Sequence, residues 1–205
     1  MRAAALALCA ALAAAPAMAT QDAFPALYSV QDVASDDVLN VRAEPDAGAE
    51  IIGALPWNAR DIEVVELAPR ADWGRVNVEG RSGWVSLRFM RRHPGQFMGA
   101  FPEIARCAGT EPFWGLDHAA GIYDFSAPGG PRLGFTESWR GSSLGRRDRH
   151  AVKLTGRTAE ATAVISYAAC SDGMSDRHYG LGIDLILEGG PDGPALYSGC
   201  CTLQP

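Results

Sequence analysis

The sequence predicts an all-β protein: a small barrel followed by an antiparallel β-sandwich or barrel stapled by disulfides. Three observations carry this expectation. Apolar and β-branched residues come in short alternating runs, the period of a half-buried strand rather than of a helix. Gly, Pro, Asp and Asn interrupt those runs at close intervals, as turns between strands require. Cys107, Cys170, Cys200 and Cys201 all lie in the second half, which confines the crosslinks to it.

The first residues read as an export address. Arg2 is a positive start, Ala3 to Ala15 is apolar, and Ala17-Met18-Ala19 places small residues where a signal peptidase reads them. The apolar run is shorter than the about 20 residues that cross a bilayer. Residues 1–19 are therefore expected to be a signal peptide, cleaved near Ala19, and Cys9 leaves with it. Leu8 stands where a lipidated cysteine needs a small residue before it, so lipidation is not expected. A periplasmic or secreted location follows, with no membrane span. The net charge of −6 argues against nucleic acid as a partner, because neutralising phosphates takes a basic footprint.

Residues 24–90 form the first domain. Val38-Leu39-Asn40-Val41-Arg42 alternates, and Glu44-Pro45-Asp46-Ala47-Gly48 makes a loop. Ile51 to Leu55 is a second strand, broken by Pro56-Trp57-Asn58, in which Asn58 suits a left-handed turn position. Ile62 to Glu66 and Trp73 to Val78 follow, and Glu79-Gly80-Arg81-Ser82 turns the chain into Gly83-Trp84-Val85. Closing such strands into a barrel removes exposed edges.

Four of these elements carry a resemblance. Leu39-Asn40-Val41-Arg42 with Pro45, Ile52-Gly53-Ala54-Leu55, Trp73-Gly74-Arg75-Val76 and Gly83-Trp84-Val85 resemble the bacterial SH3 domain in order and spacing. Glu44 and Asn58 stand where that family usually has glycine. The resemblance implies a module that binds peptidoglycan or peptide segments in a groove drawing on Trp57, Trp73 and Trp84. Their alternation with polar neighbours makes Trp73 and Trp84 core residues on a plain reading. Trp57, in a turn, reads as an exposed aromatic platform.

Residues 91–103, opening with Arg91-Arg92-His93-Pro94-Gly95, read as a linker. Residues 104–205 make the second domain. Its strands are expected at Phe113–Leu116, Gly121–Phe125, Arg132–Thr136 with a further run to Trp139, Val152–Leu154, Ala161–Tyr167, Ile183–Leu187 and Leu196–Ser198. Gly189-Gly190-Pro191-Asp192-Gly193 reads as a hairpin loop. An even number of cysteines in an exported chain favours two disulfides. A Cys200–Cys201 bond would join neighbours only about 3.8 Å apart, with side chains on opposite faces of a strand. Cys107 and Cys170 therefore each take one of the pair, in either order. The stretches Cys107-Ala108-Gly109-Thr110-Glu111-Pro112-Phe113-Trp114, Cys170 to Asp176 and Gly199-Cys200-Cys201 resemble a family of uncharacterised bacterial envelope proteins. That resemblance implies location and disulfides, not an activity.

No complete catalytic constellation is visible. A cysteine nucleophile would need Cys170 beside His178, yet Cys170 is required for a disulfide. His118, His150 and His178 with Asp172 and Asp176 lack metal-ligand spacing, and neither metal nor cofactor is expected. Glu111 has no acid partner for paired-carboxylate chemistry. Arg140, Arg146, Arg147 and Arg149, around Gly141-Ser142-Ser143, make a basic loop. Either nearby acids answer these arginines or the loop holds an anionic polymer or an acidic partner. The function expected is a non-catalytic exported envelope protein whose SH3-like domain binds peptidoglycan or an envelope protein. The alternatives are an accessory or inhibitor of a cell-wall hydrolase, and a metal-binding envelope protein.

Overall fold

A computed structural model of the chain describes residues 21–189 and 193–203. The expected signal peptide and the centre of the 189–193 hairpin loop lie outside those residues. The first half contains β1 (Ala26–Val30), β2 (Val38–Arg42), β3 (Ile51–Pro56), β4 (Ile62–Leu67), β5 (Trp73–Val78), β6 (Arg81–Ser86) and β7 (Met90–Arg92), with a 3-10 turn at Leu87–Phe89. These form one seven-stranded sheet in the order β3-β2-β6-β5-β4-β1-β7. The sheet wraps a single core of Tyr28, Leu39, Val41, Val64, Val76, Val85 and their neighbours. Its ladder stays open between β3 and β7, so these two strands keep edges that a fully closed barrel would lack.

The core reading of Trp73 and Trp84 is overturned. Gly74, Val76, Gly83 and Val85 point inward, which turns both indoles to the outer face, where they are half-buried. The interior has no room for them. Even a Cβ on Gly74 would sit 2.6 Å from Val64 Cγ1, and one on Gly83 would sit 2.6 Å from Val41 Cγ1. Asn58 is not left-handed either; Asp61, at the entry to β4, takes that conformation with φ 55°. The β5–β6 turn is as expected, with Glu79 and Gly80 both at positive φ, the geometry of a tight hairpin.

Part of the 91–103 segment is fastened to the first sheet. Arg91 and Arg92 pair with Ser29 and Tyr28 in β1, and the Gln96 side chain bonds both the N–H and the carbonyl of Leu27.

The second half is a closed antiparallel barrel, which decides between barrel and sandwich. Its strands are β8 (Arg106–Thr110), β9 (Phe113–Ala119), β10 (Ile122–Ser126), β11 (Leu133–Ser142), β12 (Arg149–Gly156), β13 (Ala159–Cys170), β14 (Tyr179–Gly189) and β15 (Ala195–Thr202). They run in the order β10-β11-β12-β13-β14-β15-β8-β9. An eight-stranded barrel is just wide enough to be filled by side chains. Here Trp114, Phe125 and Phe135 share the interior with small Ala159, Ala161 and Ala163 on β13.

Closure falls where β15 meets β8. Cys201 lies directly opposite Cys107, and the two are bonded, with Cα atoms 4.0 Å apart. The second disulfide joins Cys170 to Cys200. The motif glycines have a steric role at this seam. A Cβ on Gly109 would meet Trp114 Nε1 at 2.1 Å, and one on Gly199 would meet the Ala108 carbonyl oxygen at 2.1 Å. Trp114 thus seats against two glycines and donates its indole N–H to Ser198 O at 3.2 Å.

Among the described residues the halves touch at several places, Leu27 of β1 packing against the barrel core, and two of these contacts are close. Buried Pro25 packs so closely on Gly180 that a Cβ there would meet Pro25 Cδ at 2.6 Å. The loop between β13 and β14 latches onto β5 and β6: Ser82 N–H donates to Asp176 O at 3.1 Å, Asn77 Nδ2 to His178 O at 2.8 Å, and His178 N–H to Asn77 Oδ1 at 3.1 Å.

Gly199→Ala should lower stability by about 1–3 kcal/mol, the usual cost of forcing atoms into a packed site, as read from urea unfolding. Gly182→Ala is the control, since its nearest neighbour stands at an ordinary 4.0 Å.

Candidate functional site

The outer face of the first sheet carries a groove of ≈ 460 Å³. Its walls come from the β1–β2 loop, β2, the start of β5 and the 3-10 turn. Trp73 and Phe89 supply aromatic surface, Val33 and Val38 aliphatic surface, and Asp32, Asp37, Arg42 and Arg88 the charges. Alternation along β5 explains why Trp73 is available: Gly74 faces the core, so the residue before it faces out. Several charged groups are already positioned. Arg42 donates to the Ala49 carbonyl at 2.6 Å, Asp37 Oδ1 accepts from Val38 N–H at 2.7 Å, and the Arg88 guanidinium lies 5.5 Å from the Phe89 ring centre.

The three tryptophans do not form one platform. Trp73 lines the groove. Trp57 stands in the β3–β4 turn, 44% exposed and outside the groove lining. Trp84 lies on the outer face of β6 beneath the Arg75 guanidinium, 4.6 Å from the ring centre. Arg75 in turn donates to His178 Nδ1 at 2.7 Å and pairs with Glu66 at 3.0 Å. Trp84 therefore belongs to the junction between the halves.

The arginine cluster is less of a loop than the sequence suggests. Arg140 lies in β11 and Arg149 in β12, because both strands run further than their apolar residues indicate. Acids answer three of the four. Arg140 makes a two-pronged bond to Glu137 and pairs with Glu103, while Arg146 and Arg149 share Asp148. The hydrogen bond from Arg146 is foremost among the contacts that lower the Asp148 pKa to about 2. Arg147 is exposed.

The other sequence candidates are dispersed. Cys107, Cys170, Cys200 and Cys201 are all in disulfides, so no cysteine among the described residues is a free nucleophile. His178 is part of the latch. His118 stacks on Tyr123 with ring centres 4.1 Å apart. His150 is buried inside the barrel, edge-on to Phe101 and Tyr167, and burial lowers its pKa, which favours the neutral ring. Among the described residues no three acids, histidines or cysteines are grouped to hold a metal ion.

The Cys170–Asp176 stretch is a tied loop. Asp172 accepts from Met174 N–H, Ser175 N–H, the Ser175 hydroxyl and the Tyr179 hydroxyl at 3.0, 2.9, 2.7 and 3.1 Å. Burial works to raise its pKa, but these bonds bring it down to about 2. Sequence reasoning missed the groove residues Asp32, Val33, Arg88 and Phe89. The signal available for Asp32 and Val33 was the acidic stretch Gln31–Asp37 directly after an apolar run; Arg88 and Phe89 had none.

Comparison with known proteins finds no matching family model, no similar curated protein and no similar solved structure.

Because the Asp172 pKa is depressed, its bonds stabilise the loop above the ordinary carboxylate range and are lost as pH falls toward the folded value. The Met174 and Ser175 amide resonances should titrate with a midpoint near 2 rather than 3.8. Asp172→Ala should remove that titration and loosen the latch, read as faster amide exchange at His178 and Ser82.

Proposed function

We propose that this is a non-catalytic binding protein of the bacterial envelope, exported by its amino-terminal segment to the periplasm or beyond. In this reading its first, SH3-like domain holds an extended peptide segment of peptidoglycan or of an envelope protein. The observation that carries the reading is the groove beside Trp73. It is a hollow of ≈ 460 Å³ with aromatic surface and with both signs of charge on its walls, suited to a chain that offers alternating apolar and polar groups. Two disulfides fit a chain that folds in an oxidising compartment. No helix among the described residues is long and apolar enough to cross a membrane. The second domain serves as a crosslinked scaffold in this account.

Trp73→Ala should reduce pull-down on purified sacculi or envelope extract at least about tenfold, on the scale of a lost aromatic anchor, while the melting temperature stays within a few degrees. Trp57→Ala, outside the groove, should leave binding close to wild type. Full binding by Trp73→Ala, or loss with Trp57→Ala alone, would remove the groove from the account.

A further inference from the structure

Where the two halves meet, the latch leaves a polar cleft of ≈ 410 Å³. Glu63 and Asn77 line it from the first sheet, and Arg106, Arg177, Tyr179 and Thr202 from the barrel. Domain junctions are a common place for small-molecule sites, because two rigid bodies can each contribute fixed polar groups. The charges here are of both signs and unequally committed. Arg106 is paired with Asp117 at 2.6 Å, and the Asp172 carboxylate, also at the cleft, is occupied by its own loop. Arg177 is exposed and makes no ion pair among the described residues. Its positive charge opposes the rise that burial and Asp172 give the Tyr179 pKa. From the other half comes Glu63, only 5% exposed. Glu63 also interacts within the protein, but a carboxylate has about four acceptor positions and can take an ammonium in addition.

We infer that this cleft binds a small zwitterion, an amino acid or the doubly charged end of a short peptide. Its carboxylate lies on Arg177 and its ammonium group toward Glu63. A ligand carrying one charge meets one attractive and one repulsive wall, and an uncharged apolar ligand strips water from both charges without replacing it. A molecule with both charges satisfies both walls. Its ends rest on different halves of the protein, so the site depends on the latch that holds them together. The cleft shares no lining residue with the Trp73 groove and does not rest on the groove reading.

The test is calorimetric titration of the disulfide-intact protein with alanylalanine, in both L,L and D,D forms, alongside its N-acetyl and C-amide derivatives. The zwitterion should bind at millimolar concentration or below, and blocking either end should weaken it at least about tenfold. Arg177→Ala, an exposed change, should weaken the free dipeptide about tenfold and leave the amide unaffected, so that the two become alike. Trp73→Ala should bind the dipeptide as wild type does, whatever happens to sacculus binding, so the two sites fail or succeed separately. The inference is overturned by absence of binding at millimolar dipeptide or by blocked dipeptides binding as well as the free one. Wild-type affinity in Arg177→Ala, or loss of dipeptide binding in Trp73→Ala, would overturn it equally.

Discussion

The pairing of β15 with β8 is the constraint on which the second half depends. It joins the two ends of the domain and leaves the barrel without an edge strand. The Cys107–Cys201 bond closes a loop of 94 residues at that seam, where restricting the unfolded chain contributes most. The same seam dictates the small residues beside it. Trp114 fills the interior here, and its indole fits because Gly109 and Gly199 carry no side chain. Two stretches far apart in the chain, Cys107 to Trp114 and Gly199 to Cys201, therefore make up one packing unit.

Strand alternation lets two adjacent cysteines do different work. Cys201 faces the core, while Cys200 faces outward and holds Cys170 at the end of β13. From Cys170 the chain enters the loop tied by Asp172, and the far end of that loop, Asp176 to His178, grips the first sheet. The crosslinked barrel thus projects a short, fixed arm. Hydrogen bonds at such a surface contribute modestly one by one. Arm and apolar contact therefore act together, the first setting orientation and the second, through Pro25 against Gly180, excluding water.

Strand β5 connects the features of functional interest. Its outward positions are Trp73, Arg75 and Asn77 in succession. Trp73 stands in the groove, Arg75 lies over Trp84 and reaches His178, and Asn77 belongs to both the latch and the cleft. Its inward positions, Gly74 and Val76, belong to the core. One strand thereby holds groove and junction in fixed register on a rigid element, which positions sites better than a free loop does.

Much of the strand pattern was legible, because alternation is a property of neighbouring residues. The strands that escaped notice lack it. Four of the five β1 residues are buried, β7 has three residues, and β8 centres on Ala108 and Gly109, which carry little apolar signal. Alternation also gives two faces without saying which is inside. For Trp73 and Trp84 the answer depended on Val64 and Val41, which are distant in the chain and crowd out anything larger than glycine. The sequence by itself determined an all-β chain and the inability of adjacent cysteines to bond to each other, since both follow from local backbone geometry. Only the tertiary structure decided which cysteine pairs with which, that the second half closes as a barrel, and that a groove and a polar cleft exist. Those depend on which distant strands become neighbours, and long-range register is set by packing rather than by any one segment.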